Sequence, residues 1–162
     1  MFDFDLAHVL LIRKNKPDWQ VGKLNGVGGK VEESDSDTTF TMCREFSEEV
    51  GVWEGALVGF QTEVKDWSHF ACLSDQRGWN IDFFYSRAKY VLQDFKSMTD
   101  EKLEVILVSE IPSRTDLIMN LQYLVPMAIN HVLKRDRAGF FSIVELPATS
   151  LFSQPVSTQE SK

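Results

Sequence analysis

Cysteine is almost missing from this chain: Cys43 and Cys72 are the only two. Neither stands in a Cys-x-x-Cys or Cys/His spacing that would hold zinc, and two thiols make no disulfide framework. They fit a reduced, cytoplasmic setting. Long apolar runs are also missing. No uninterrupted stretch approaches the ~20 residues of a membrane-spanning helix, so no membrane partner is expected. The opening residues, Met1-Phe2-Asp3-Phe4-Asp5, lack the basic start and apolar core of a signal peptide. Basic blocks are absent too: 17 Lys and Arg face 24 Asp and Glu, a net charge of −7. Proteins that grip polymeric DNA or RNA carry a basic face, because phosphate neutralisation dominates that affinity. No polymeric nucleic acid is therefore expected as a partner. A small polyphosphate bridged by metal ions remains compatible with an acidic surface. There is no internal repeat and no interior linker, and the oligomeric state stays open.

What is present suits one folded domain. The chain has 162 residues, of which 43% are apolar, enough for a sizeable core. Residues 6–13 form an apolar run that reads as a buried strand. Residues 22–29 hold four glycines with Asn25, so they read as a tight loop with room for a short strand. Ser34-Asp35-Ser36-Asp37 supplies helix-capping oxygens, and a helix is expected over 38–50, with Gly51 as the glycine that ends it. Residues 56–64, 81–91 and 103–108 read as strands. Over 117–133 the apolar residues fall at helical spacing, with Pro126 either opening the main helix or kinking it. A last strand is expected over 140–144. The domain is assigned to residues 1–147, and 148–162, rich in Ser, Thr and Gln, to a frayed tail. The alternation favours an α/β fold with a mixed sheet and helices on both faces.

The chemistry concentrates in residues 28–52. On the helix, Met42, Phe46 and Val50 recur every four residues and make one apolar stripe. Glu45, Glu48 and Glu49 cluster on a neighbouring face. That clustering is unfavourable alone, by roughly 0.2–0.5 kcal/mol per like-charge pair, and the helix C-terminus disfavours anions. No lysine in the helix relieves it. Arg44 is the one cation, in the weaker order relative to Glu48. A solvated acidic face is one reading. A divalent cation with hard oxygen ligands is the other, and the missing lysines favour it. Gly28 and Gly29, directly before the helix, let backbone approach a ligand closely and free a carbonyl for a metal shell.

Arg44-Glu45-Phe46-Ser47-Glu48-Glu49-Val50-Gly51-Val52 resembles the second half of the Nudix box at every fixed position. That box runs from a glycine through five residues to a glutamate, then seven residues to Arg-Glu-U-x-Glu-Glu-x-Gly-U, with U bulky and apolar. The first half departs. Counted from Gly29, the box glutamate falls on Asp35, and the gap from there to Arg44 is one residue too long. Asp35, Glu32 or Glu33 would do that glutamate's work, with the extra residue absorbed in the 34–37 loop. Residues 22–31 resemble the segment before the box in MutT-type hydrolases of oxidised nucleotides. Residues 79–85 resemble the strand after it, and 100–112 the strand and turn that follow.

The resemblance implies a Nudix fold: an α/β/α sandwich with a mixed central sheet. It implies hydrolysis of a nucleoside diphosphate linked to a group X, with Mg2+ or Mn2+ as cofactor. Position by position, it implies that Glu48 and Glu49 bind metal, that Glu45 is ligand or general base, that the Gly29 carbonyl is a further ligand, and that Arg44 orients Glu45. It implies a further acid from a later loop, for which Glu101 and Glu104 are candidates, each also readable as a surface charge before a strand. Lys23 and Lys30 are candidates for phosphate contact. Asn25 would lie beside a base, its amide offering donor and acceptors to a purine edge. The competing reading is an Asn-Gly turn. One branch of the family carries an acidic pair before a Tyr-aromatic-aromatic-Pro run. Here Tyr123 and Pro126 fit, Asn120 could replace the first acid, and Leu121 cannot replace the second. Trp19, Phe84 and Tyr123 could stack on a base. The expected partner is a small nucleotide, foremost an ordinary or oxidised nucleoside triphosphate. ADP-ribose, a dinucleotide or a capped RNA is the alternative substrate, and a non-catalytic nucleotide-binding module the alternative class.

Overall fold

The computed structural model describes residues 1–75, 78–134 and 140–145. Strand β1 (His8–Arg13) is the centre of the arrangement. Its four middle residues, Val9 to Ile12, are all buried, which is why the sequence shows a continuous apolar run there and no alternation. Val9 and Leu11 join one core cluster with Leu121, Leu124, Val125 and Ala128 of helix α2 (Leu121–Leu133). Leu10 joins the other, with Phe46 of helix α1 (Thr38–Glu49), Val50 and Trp67. The two helices therefore pack on opposite faces of β1.

Among the described residues the strands form three sheets of three. In the first, β1 runs antiparallel to β8 (Lys102–Leu107) along its whole length and to the short β2 (Leu24–Asn25) at Ile12 and Arg13. In the second, β3 (Val50–Trp53) lies between β4 (Leu57–Gly59) and β7 (Lys96–Ser97). In the third, β5 (Ser68–Asp75) pairs antiparallel with β6 (Asn80–Tyr85) and parallel with β9 (Phe141–Glu145), a mixed sheet. The chain is thus a mixed α/β protein. No described helix is long and apolar enough to cross a membrane. The tail expected over 148–162, and residues 146 and 147 before it, lie outside the described residues.

Several expectations are corrected. Helix α1 ends at Glu49, and Gly51 is no left-handed cap but a residue of β3. Its role is spatial: a Cβ there would sit 2.6 Å from the Val58 carbonyl and 2.5 Å from Met98 Sδ. The strand expected over 56–64 shrinks to Leu57–Gly59, because the chain leaves that sheet for a one-turn 3-10 helix at Val64–Asp66. Strand β6 stops at Tyr85, before Ser86, Arg87 and Ala88 turn to meet Phe2. Strand β5 was not expected at all. Pro126 lies within α2 beyond its first turn, so the opening-residue alternative falls; Asn120 is the N-cap.

Candidate functional site

The loop before α1 is built around one arginine. Asp37 caps the helix, its side chain accepting the Phe40 N–H at 2.8 Å. Asp35 turns inward, with no exposed side-chain surface. Arg44 donates to both of its oxygens at 3.0 Å, Thr41 Oγ1 donates at 2.8 Å and the Glu32 N–H at 2.9 Å. The Arg44 hydrogen bonds, then that of the Glu32 backbone, hold the Asp35 carboxyl well below the usual carboxylate range. Asp35 therefore spends its acceptors on the helix and the loop. Arg44 also donates to Glu45 Oε1 at 3.0 Å, Glu48 Oε2 at 3.3 Å and the Lys30 carbonyl at 3.0 Å, and Asp35 first among these partners raises its pKa. One planar, five-donor group thus ties the glycine-rich loop to the acidic face. Glu32 Oε1 stands 3.7 Å from it, at the exposed rim.

Gly29 abuts the helix. A Cβ at that position would overlap the Glu45 carboxylate, so only glycine lets this backbone lie against that side chain. Glu49 is the most unusual member. Its Oε2 is buried with no hydrogen-bond partner. Burial pushes its pKa up, and the negative charges of Glu101 and Glu45 add to the rise, while Lys14 and the Gly28 N–H oppose it. Glu48 is the outward-facing member, with a side chain 56% exposed.

Glu101 belongs to this cluster. It is buried, 5% exposed, so its reading as a surface charge is corrected. Lys14 Nζ donates to Glu101 Oε2 at 2.5 Å and the Asn15 N–H to Oε1 at 2.8 Å. Lys14, at the end of β1, was not singled out in the sequence. Its signal was weak: one basic residue after a buried strand. Glu104 goes elsewhere. It accepts two hydrogen bonds from Arg13, at 2.5 and 2.8 Å, and Arg13 also reaches Asp116 at 3.0 Å. That network clamps β1, β8 and the approach to α2. Arg13 holds Glu104 below its ordinary pKa, and Arg114, which donates to Asp116 Oδ1 at 2.9 Å and Oδ2 at 2.7 Å, holds Asp116 together with Arg13 at about 2.

Donor chemistry and geometry together bear on a metal. Hard carboxylate oxygens, an orphaned Glu49 Oε2 and a glycine backbone against Glu45 suit a hard divalent cation. Among the described residues no group of three or more His, Cys, Asp or Glu side chains is placed so that it could hold a metal ion. Arg44 holds Glu45 and Glu48 where a cation would compete for them.

The segments that carry the residues assigned to a base lie beside each other in backbone. The Leu24 N–H donates to the Asp116 carbonyl at 2.7 Å, and the Ile118 N–H to the Leu24 carbonyl at 2.9 Å. This runs the Asn25 segment along the one leading to Asn120. Asn25 is half-buried, its Nδ2 donating to Gln20 Oε1 at 3.0 Å and its Oδ1 accepting the Gly26 N–H at 2.8 Å. Asn120 Oδ1 is buried without a partner. Lys23 and Lys30 are exposed. Trp19 and Tyr123 are exposed as well, and Phe84 stacks on His69 at 4.6 Å between centroids. No family model matches this chain, and no curated protein does.

Proposed function

We propose that this chain is a Nudix hydrolase, a magnesium-dependent enzyme that splits a nucleoside diphosphate linked to another group. Its foremost substrate is a nucleoside triphosphate, ordinary or oxidised, giving the monophosphate and pyrophosphate. The observation that carries the reading is the buried, unpartnered Glu49 Oε2, set between the charges of Glu45 and Glu101. Burying a carboxylate oxygen without a partner is costly. A cation bound there would offset that cost. The finer fold follows from the same reading: an α/β/α sandwich, consistent with α1 and α2 on opposite faces of β1.

Glu49, Glu48, Glu45 and the Gly29 carbonyl would hold the metal, with Glu101 behind Glu49. Bound magnesium, or manganese, would supply neutralisation of the pyrophosphate charge and activation of the attacking water. Arg44 fixes Glu45 through Oε1, which orients this carboxylate to accept a proton from water. Lys14 keeps Glu101 in place. Water adds to phosphorus as the bridging P–O bond breaks, and pyrophosphate leaves. Asn25 and Asn120 would face the base.

The test is product analysis over a panel of 8-oxo-dGTP, ordinary dNTPs, ADP-ribose and dinucleotides, for the wild type and Glu48→Gln. Pyrophosphate release from a triphosphate, abolished by EDTA and by the substitution, supports the reading. Cleavage of ADP-ribose alone keeps the chemistry and discards the triphosphate. Silence across the panel with magnesium bound leaves a nucleotide-binding module, and silence with no magnesium bound overturns the reading.

A further inference from the structure

A cleft of about 440 Å³ opens at the end of β3, and no residue of the carboxylate cluster lines it. Four aromatic side chains do: Trp53, Phe60, Tyr90 and Phe95. Phe60 and Phe95 are its anchored members. Both pack in the core that holds Phe46, and their rings meet edge to face at 4.8 Å between centroids. Tyr90 leans on Phe60 in the same way at 5.4 Å. Yet Tyr90 is 61% exposed and Trp53 71%. Large apolar surface left in water beside a cleft marks a place where something binds.

The charges at the cleft say what. Glu54, Asp94 and Lys96 line it, all exposed. Lys96 Nζ is turned to the Gln93 carbonyl, donating to it at 3.3 Å. Glu54 and Asp94 have neither an ion-pair partner nor a side-chain hydrogen-bond partner among the described residues. No described cation covers Trp53 or Tyr90; the one ring so covered is Phe4, by Arg87. Open aromatic rings beside unpaired carboxylates are complementary to an organic cation. A guanidinium matches both parts, since it stacks flat on a ring and carries N–H donors for carboxylates. A quaternary ammonium has no donor to offer them.

The apolar surface also runs past the cleft. Exposed Leu57 pairs with Trp53 across β3 and β4, and exposed Val91 follows Tyr90. A free small cation would leave these uncovered, whereas a polypeptide would cover them. We infer that the cleft is a docking site for a partner protein that inserts one arginine side chain. The aromatic rings take the flat face of its guanidinium, and Glu54 and Asp94 accept its N–H groups. Side chains two positions to either side of that arginine, on the same face of an extended segment, rest on Leu57 and Val91. The inference does not depend on hydrolysis, and its readout is binding alone.

The experiment titrates the full chain with a fluorescein-labelled, end-capped peptide, Val-Ser-Arg-Ser-Val, and follows anisotropy. Counterparts carry citrulline, the neutral isostere, or lysine in place of the arginine, and free arginine serves as a competitor. The arginine peptide should bind below about 1 mM, with citrulline and lysine each weakening it about tenfold. Trp53→Ala should weaken it by a similar factor. The double variant Glu54→Gln with Asp94→Asn should weaken the arginine peptide and leave the citrulline one unchanged. All three positions are exposed, so these variants should melt with the wild type. No binding up to about 1 mM, equal binding of the citrulline or lysine peptide, or indifference to Trp53→Ala would overturn the inference. So would free arginine competing as well as the unlabelled peptide, which would make the ligand a small cation.

Discussion

Glu49→Gln separates the stability of this fold from its proposed use. In the free protein Glu49 carries a buried Oε2 without a partner and faces the charges of Glu101 and Glu45. The amide keeps the shape and removes the charge. An unsatisfied buried acceptor costs about 1–3 kcal/mol. Glutamine retains part of that cost and loses the attraction of Lys14, so a net gain of about 1 kcal/mol is expected. At this chain length that is a rise of about 2–4 °C in melting midpoint. Magnesium reverses the order. At ten times its Kd it stabilises the wild type by about 1.4 kcal/mol, and the variant far less. Melting in EDTA and in magnesium, with hydrolysis followed in parallel, reads both effects. A variant that melts below the wild type in EDTA, or gains as much from magnesium, refutes the reasoning. The pH dependence has a defined sign. Because the folded pKa of Glu49 is raised, its favourable contribution is complete below the unfolded value of about 4.5 and is lost as pH rises through the folded one. In EDTA the advantage of Glu49→Gln should therefore be full above the folded value and fade as pH falls toward 4.5.

The other expectations are local. Gly29→Ala drives a methyl into the Glu45 carboxylate; hydrolysis should fall about 100-fold or more, as misplacement at a site does, with the helix retained by circular dichroism. Gly51→Ala meets the Val58 carbonyl and Met98, so it should cost about 1–3 kcal/mol in denaturant unfolding, as overpacking does, while the reaction's metal dependence is unchanged. Asn120→Ala removes a buried orphan acceptor. If that oxygen faces a base, KM should rise with kcat nearly constant; an unchanged KM would detach Asn120 from the nucleotide.

The acidic helix was legible because helical periodicity is a local property. Met42, Phe46 and Val50 set which face is buried, and Glu45, Glu48 and Glu49 followed from the spacing. The Asp37 cap and the apolar run of β1 were readable for the same reason. Strand β5 was not, since its 68–75 run mixes Ser, His and Cys with apolar residues and gains its strand state from β6 and the distant β9. Gly51 misled because a glycine after a helix usually caps it, whereas here its absent side chain makes room for Val58 and Met98.

By itself, the sequence determined the two helix faces, the capped loop and the acidic composition of the site, because each depends on residues within a few positions of one another. Only the tertiary structure decided which charges are paired. It turned Asp35 into the inward anchor of Arg44, sent Glu104 to Arg13, and buried Glu101 beside Lys14. It also left Glu49 Oε2 without a partner. Such differences arise from burial and from contacts between positions 9 to 91 residues apart, and desolvation exists only once the chain has closed over the group.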